Sequence, residues 1–193
     1  MYDNADRQAQ LKDALIYARD NDVSAVLFNG DTVEKGSQAN YDILDGIFTE
    51  VFGSPSAEGI PEFVFNMGNH EFYLENGADY TYSTQFNLYK AFAEKWSRNT
   101  ISDNVYAREI DGVYYVVAIP SDNEPGDNHK ASSGYYTASD ISKIGAIFDE
   151  ILSDGTYDKP IILMTHWMIG KTYGGSYAVI PAKYVSRFTT LLA

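Results

Sequence analysis

Hydrophobic residues recur at helical spacing in some segments of this chain and form short continuous runs in others. Leu11, Ala14, Leu15 and Ala18 have the spacing of an amphipathic helix, which we expect over residues 11–20. Similar apolar stripes predict helices over residues 40–52, 86–96 and 139–153, the last opening on Ser139 and Asp140 as its capping pair. Three short apolar runs predict strands buried on both faces of an α/β sheet: VSAVLFNGD, EFVFNMGNHE and PIILMTH. The segment VYAREIDGVYYVVAIP predicts a β-hairpin that turns at Asp111 and Gly112.

Polar side chains of metal-ligand type stand at the end of each of the three short runs. They are Asp31, then Asn69 with His70, and His166. Ligands in open α/β sheets bind beyond the carboxyl ends of the strands, so we expect these residues to converge on one sheet edge. Oxygen and imidazole donors together suit manganese, iron, zinc or magnesium.

Glycines precede two of these polar groups. Gly30 and Gly68 stand directly before Asp31 and Asn69, where a residue without Cβ lets the backbone turn sharply beside a metal ion or phosphate. In combination, Gly30-Asp31, the quartet Gly68-Asn69-His70-Glu71 and His166 after a strand resemble the calcineurin-like metallophosphoesterase superfamily. The resemblance spans nearly the whole chain, and the quartet is its most specific element.

The resemblance implies a fold, a reaction and a site. The fold is α/β, a layered αββα sandwich, and the reaction is hydrolysis of a phosphate ester with two divalent ions and a bridging hydroxide. Asp31 would bridge the two metal ions, and Asn69 and His166 would complete the second metal site. His70 would face the scissile phosphate as the catalytic residue, while Glu71 would orient the ligand turn through hydrogen bonds.

Two further motifs of that superfamily have no counterpart here. No Asp-x-His motif precedes Asp31, and no Gly-His-x-His motif follows His166. We therefore expect residues 1–193 to form a single incomplete domain, truncated at both ends, whose first metal retains only Asp31. Such a stretch alone is predicted to be inactive or nearly so. Purple acid phosphatases have a tyrosine three residues after the Gly-Asp aspartate, and Glu34 occupies that position here, so that subgroup is not indicated.

The amino-acid composition of the chain excludes some classes of binding partner. The formal net charge of −13, from 27 acidic and 14 basic residues, argues against nucleic acid or an anionic membrane as a bulk electrostatic partner. No run approaches the ~20 apolar residues of a membrane helix. The absence of cysteine excludes thiolate ligands and disulfides. With 16 tyrosines and no cysteine, the chain is compatible with an extracytoplasmic or secreted bacterial enzyme.

Several simpler interpretations stay open. Asp31 alone is compatible with a helix cap, and His129 is expected to be solvated in a polar loop. Lys171 and Tyr173 are candidates for contact with a substrate phosphate or for plain exposure in a Gly-rich loop. The alternative to an enzyme is a non-catalytic metallophosphoesterase-like module for binding or at the cell surface. A nucleotide-binding domain lacks its glycine-rich phosphate loop here.

Overall fold

The computed structural model describes residues 4–73, 82–120, 136–153 and 155–166. The chain divides into two compact units, Met1–Ile101 and Ser102–Ala193. The helices and strands of the first unit are α1 (Ala5–Asp20), β1 (Ala25–Asn29), α2 (Gln38–Phe52), β2 (Glu62–Asn66), a 3₁₀ turn (His70–Phe72) and α3 (Tyr82–Ser97). Those of the second are β3 (Val105–Ile110), β4 (Val113–Ala118), α4 (Ala138–Leu152) and β5 (Ile161–Thr165). None of the helices in these ranges has the length and apolar character that a membrane crossing requires.

In the first unit, β1 and β2 pair in parallel, with Ala25 opposite Glu62 and Asn29 opposite Asn66. An aromatic cluster covers this pair, with ring centroids 5.0 to 6.3 Å apart. It comprises Phe28, Phe48, Phe52, Phe63, Phe65, Phe92 and Trp96 from β1, β2, α2 and α3. Close, mostly tilted or edge-on rings pack this side of the sheet densely.

The second unit is a mixed sheet with α4 against it. β3 and β4 form an antiparallel hairpin, and β5 joins β4 in parallel. The hairpin turns at Asp111 and Gly112 with φ of 52° and 75°, which is the predicted turn. Helix α4 contacts β3 and β4 and buries Ile144 and Ile151.

Helix α1 begins at Ala5, before the apolar stripe that starts at Leu11, because Asn4 caps it by accepting a hydrogen bond from the backbone N–H of Arg7. Two sequence expectations about these elements are corrected. Helix α4 is capped by Thr137 rather than Ser139, because Thr137 and Asp140 form a reciprocal capping box.

The second correction concerns the strands. Strand β2 is largely buried, but β1 and β5 are not buried on both faces, since Leu27 is 42% and Ile162 is 37% exposed. Strand β5 belongs to the sheet of β3 and β4, so the expectation of one shared sheet edge holds for β1 and β2 alone among the described strands.

Candidate metal and phosphate site

Parallel pairing brings the loops after β1 and β2 to the same edge of the sheet. The strands end opposite each other at Asn29 and Asn66, whose side chains are joined by a hydrogen bond from Asn66 Nδ2 to Asn29 Oδ1 of 3.1 Å. Asn66 Oδ1 also accepts from the backbone N–H of Met67 at 2.9 Å. The Gly30-Asp31 loop and the Gly68-Asn69-His70 loop therefore leave the sheet side by side.

A buried carboxylate joins the two loops. Glu71 is 1% exposed and accepts four backbone hydrogen bonds. Its Oε2 accepts from Asp31 at 2.8 Å and from Gly68 at 2.6 Å. Its Oε1 accepts from Thr32 at 2.5 Å and from Val33 at 3.3 Å. Three of these donors lie in the first loop and one in the second, so a single side chain holds both.

The Asp31 side chain forms a further hydrogen bond between the two loops. Its Oδ1 accepts a hydrogen bond of 3.0 Å from the backbone N–H of His70, in the opposite loop. Asp31 itself has a φ of 55°, a left-handed conformation that is uncommon outside glycine, and Gly30 before it has a φ of 88°. The Glu71 carboxylate holds the Asp31 amide in that conformation. Asp31 does not cap a helix, because α2 begins only after Ser37.

The two carboxylates of Asp31 and Glu71 create a local charge that favours a cation. Burial raises the pKa of the Glu71 carboxyl and the charge of Asp31 raises it further, while backbone N–H groups from Gly68, Asp31 and Thr32 act in the opposite direction. Two carboxylates are thus close enough to repel each other. A divalent ion near Asp31 would reduce that repulsion.

His70 is held through one ring nitrogen. Its Nδ1 lies 3.1 Å from the backbone carbonyl oxygen of Glu34 and 3.4 Å from Glu34 Oε1. Both partners are acceptors, so Nδ1 carries the proton and Nε2 is the nitrogen left for chemistry. The ring of Tyr73 lies beside the imidazole, with centroids 4.9 Å apart at an angle of 59°.

Asn69 is held by the same tyrosine. Its Nδ2 donates to the Tyr73 hydroxyl at 2.9 Å. The backbone of Tyr73 accepts a hydrogen bond of 2.8 Å from the N–H of Gly36. Gly36 has no room for a side chain, because a Cβ there would lie 1.8 Å from the carbonyl oxygen of Glu71.

The oxygen donors at this corner suit a divalent ion. Asp31 offers a carboxylate and Asn69 a carboxamide oxygen, both of which hard cations accept. Within the described ranges, no group of three or more His, Cys, Asp or Glu side chains could hold a metal ion by itself. Asp31 and Asn69 therefore fit a metal ion as part of a ligand set rather than as a complete one.

The other predicted site residues are His166, Lys171 and Tyr173. His166 follows β5 in the second unit, and its assignment as a metal ligand stays a prediction. Lys171 and Tyr173 lie outside the described residues. The structure brings Gly30, Asp31, Gly68, Asn69, His70 and Glu71 together in the first unit.

Sequence reasoning missed two residues that contact the site. The contact of Glu34 with His70 could have been suspected from its position three residues after Asp31. Tyr73 gave no helical-spacing signal, because it follows the 3₁₀ turn in an extended conformation.

Comparison with protein families agrees with this geometry. Residues 1–187 match the family model described as calcineurin-like phosphoesterase. No curated protein matches the chain in a sequence search. Proteins of this family are metal-dependent hydrolases of phosphate esters, and their α/β fold agrees with the helices and two sheets described above. Because the match covers far more than half of the sequence, this chain belongs to the calcineurin-like phosphoesterase family.

Proposed function

We propose that the intact protein hydrolyses a phosphate ester at a site for two divalent metal ions, with Asp31 and Asn69 among the ligands and His70 as the catalytic residue. One observation carries the proposal. The reciprocal contacts between Glu71 and the first loop, and between His70 and Asp31, hold a carboxylate, a carboxamide and an imidazole at one sheet edge. His166 is proposed as a further ligand of the second metal.

The chemistry divides between the ions and the protein. When bound, divalent ions supply the activation of water and the neutralisation of charge on the phosphate. Asp31 and Asn69 would bind the ions through oxygen. In the doubly protonated ring of His70, Nδ1–H would donate to Glu34 and Nε2–H would give its proton to the departing oxygen.

The test replaces His70 and measures activity and metal content separately. His70→Ala should lower kcat for glycerol 2-phosphate, whose alkoxide leaving group needs a proton, by roughly 10²–10⁴-fold with Mn²⁺, the usual contribution of a general acid. Manganese content, measured on the same samples, should stay unchanged. His129→Ala is the matched control, because the sequence predicts a solvated role for that histidine.

Three results would contradict the proposal in different ways. Loss of metal together with activity in His70→Ala would make His70 a ligand rather than the acid. Unchanged turnover would remove it from the reaction. An intact wild-type protein that binds Mn²⁺ but hydrolyses neither a phosphate monoester nor a diester would favour the non-catalytic binding module.

A further inference from the structure

Tyr73 has its backbone fixed by both loops of the site. It directly follows the 3₁₀ turn, and its N–H donates to the carbonyl oxygen of His70 at 3.0 Å. Its carbonyl oxygen accepts from the N–H of Gly36 in the first loop at 2.8 Å. The direction in which the Tyr73 side chain leaves the backbone is therefore set by the same two loops that carry the site.

The side chain then touches both residues that the proposed function uses. Its hydroxyl accepts the hydrogen bond from Asn69 Nδ2, and its ring lies against the imidazole of His70. Asn69 and His70 are adjacent in sequence, and Tyr73 contacts both of them, one through its hydroxyl and the other through its ring.

We propose that Tyr73 is a positioning residue for the metal site and for the catalytic histidine. A carboxamide has an oxygen end that binds cations and a nitrogen end that does not. A hydroxyl that accepts from Nδ2 holds Asn69 with its oxygen end at the opposite side, as partners of metal ligands commonly do. The ring limits the rotation of His70 about the contact that Glu34 makes with Nδ1.

The inference rests on the proposed function and separates into two effects. The hydroxyl acts on Asn69 and hence on metal affinity. The ring acts on His70 and hence on kcat. Removing the hydroxyl alone should therefore weaken metal binding, whereas removing the ring as well should also slow turnover when metal is saturating.

The experiment titrates the full chain with Mn²⁺ by calorimetry in the absence of substrate. Tyr73→Phe should bind Mn²⁺ about tenfold more weakly than the wild type, the usual size of such effects. At saturating Mn²⁺ the kcat of Tyr73→Phe, which keeps the ring, should fall less than that of Tyr73→Leu. Tyr73→Leu should show the same loss of affinity and a kcat roughly tenfold lower again, because the ring is missing.

Tyr89→Phe is the matched control. The hydroxyl of Tyr89 donates to the carbonyl oxygen of Phe65 at 2.7 Å in the core, so this change also deletes one tyrosine hydrogen bond. It should lower the melting temperature and leave Mn²⁺ affinity unchanged. Weakening of Mn²⁺ binding to the same extent in both variants would mean that general instability causes the effect, and the inference would be wrong.

Failure of this inference and failure of the proposed function give different results. A wild type that binds Mn²⁺ and hydrolyses the ester, beside a Tyr73→Phe variant with the same affinity, would overturn the role of Tyr73 alone. A wild type that does not bind Mn²⁺ would overturn the proposed function and this inference with it. If Tyr73→Leu does not fold, as judged by circular dichroism, the affinity of Tyr73→Phe still decides the outcome.

Discussion

Replacing Glu71 by glutamine tests whether one carboxylate holds the two loops. In the wild type each carboxylate oxygen accepts two backbone N–H groups, Asp31 and Gly68 on Oε2 and Thr32 and Val33 on Oε1. Glutamine has the same shape but only one acceptor oxygen. Whichever way its amide turns, two of the four N–H donors then face an NH₂ group.

The expected loss of stability follows from those two donors. A buried N–H without an acceptor costs about 1–3 kcal/mol, so two of them cost roughly 2–6 kcal/mol. Removing a buried negative charge offsets part of this, since the buried carboxylate is itself poorly solvated. We expect a net decrease of about 2–4 kcal/mol in the free energy of unfolding. For a chain of this length that lowers the melting temperature by roughly 5–15 °C.

Urea unfolding followed by circular dichroism and tryptophan fluorescence measures the effect. Glu58→Gln is the control, because Glu58 is exposed and the charge change is the same. It should unfold within about 0.5 kcal/mol of the wild type. A Glu71→Gln variant as stable as the control would refute the reasoning, because the four backbone donors would then have other acceptors.

Two further comparisons use matched pairs of positions. Gly36→Ala should destabilise the fold by about 3 kcal/mol or more, because its Cβ would collide with the carbonyl oxygen of Glu71. Gly46→Ala has open space around it in α2 and should increase the free energy of unfolding by about 0.5–1 kcal/mol, because alanine favours the helix. Thermal melts distinguish the two, and equal effects would contradict the close approach at Gly36. Thr137→Ala should cost about 1 kcal/mol and Ser139→Ala almost nothing, because only Thr137 caps α4. A larger loss at Ser139 in urea titrations would reverse that assignment.

Much of the fold could be predicted from the sequence because its signals are local. Period 3.6 placed four helices and apolar runs placed the strands, with errors of a few residues at some ends. The grouping of Asp31, Asn69 and His70 was also predictable, because two adjacent parallel strands must end at one edge.

The rest depends on contacts between distant residues. Thr137 rather than Ser139 caps α4 because Thr137 pairs with Asp140, which also accepts a hydrogen bond from Asn104, a residue far from it in sequence. The contact of Glu34 with His70 likewise joins residues that are 36 positions apart in sequence. Half-exposed strands such as β1 contain the same types of apolar residue as buried strands, so their exposure depends on which elements cover them.

Closure of both loops by Glu71 limits how this protein can diversify. An insertion between Gly68 and Glu71 would withdraw the carboxylate from the amides of residues 31–33, and an insertion between Asp31 and Val33 would displace those amides from it. The lengths of the two loops are therefore coupled, and neither can evolve alone. Selection for a new phosphate ester would have to act on other segments of the chain, while this corner keeps its dimensions unchanged.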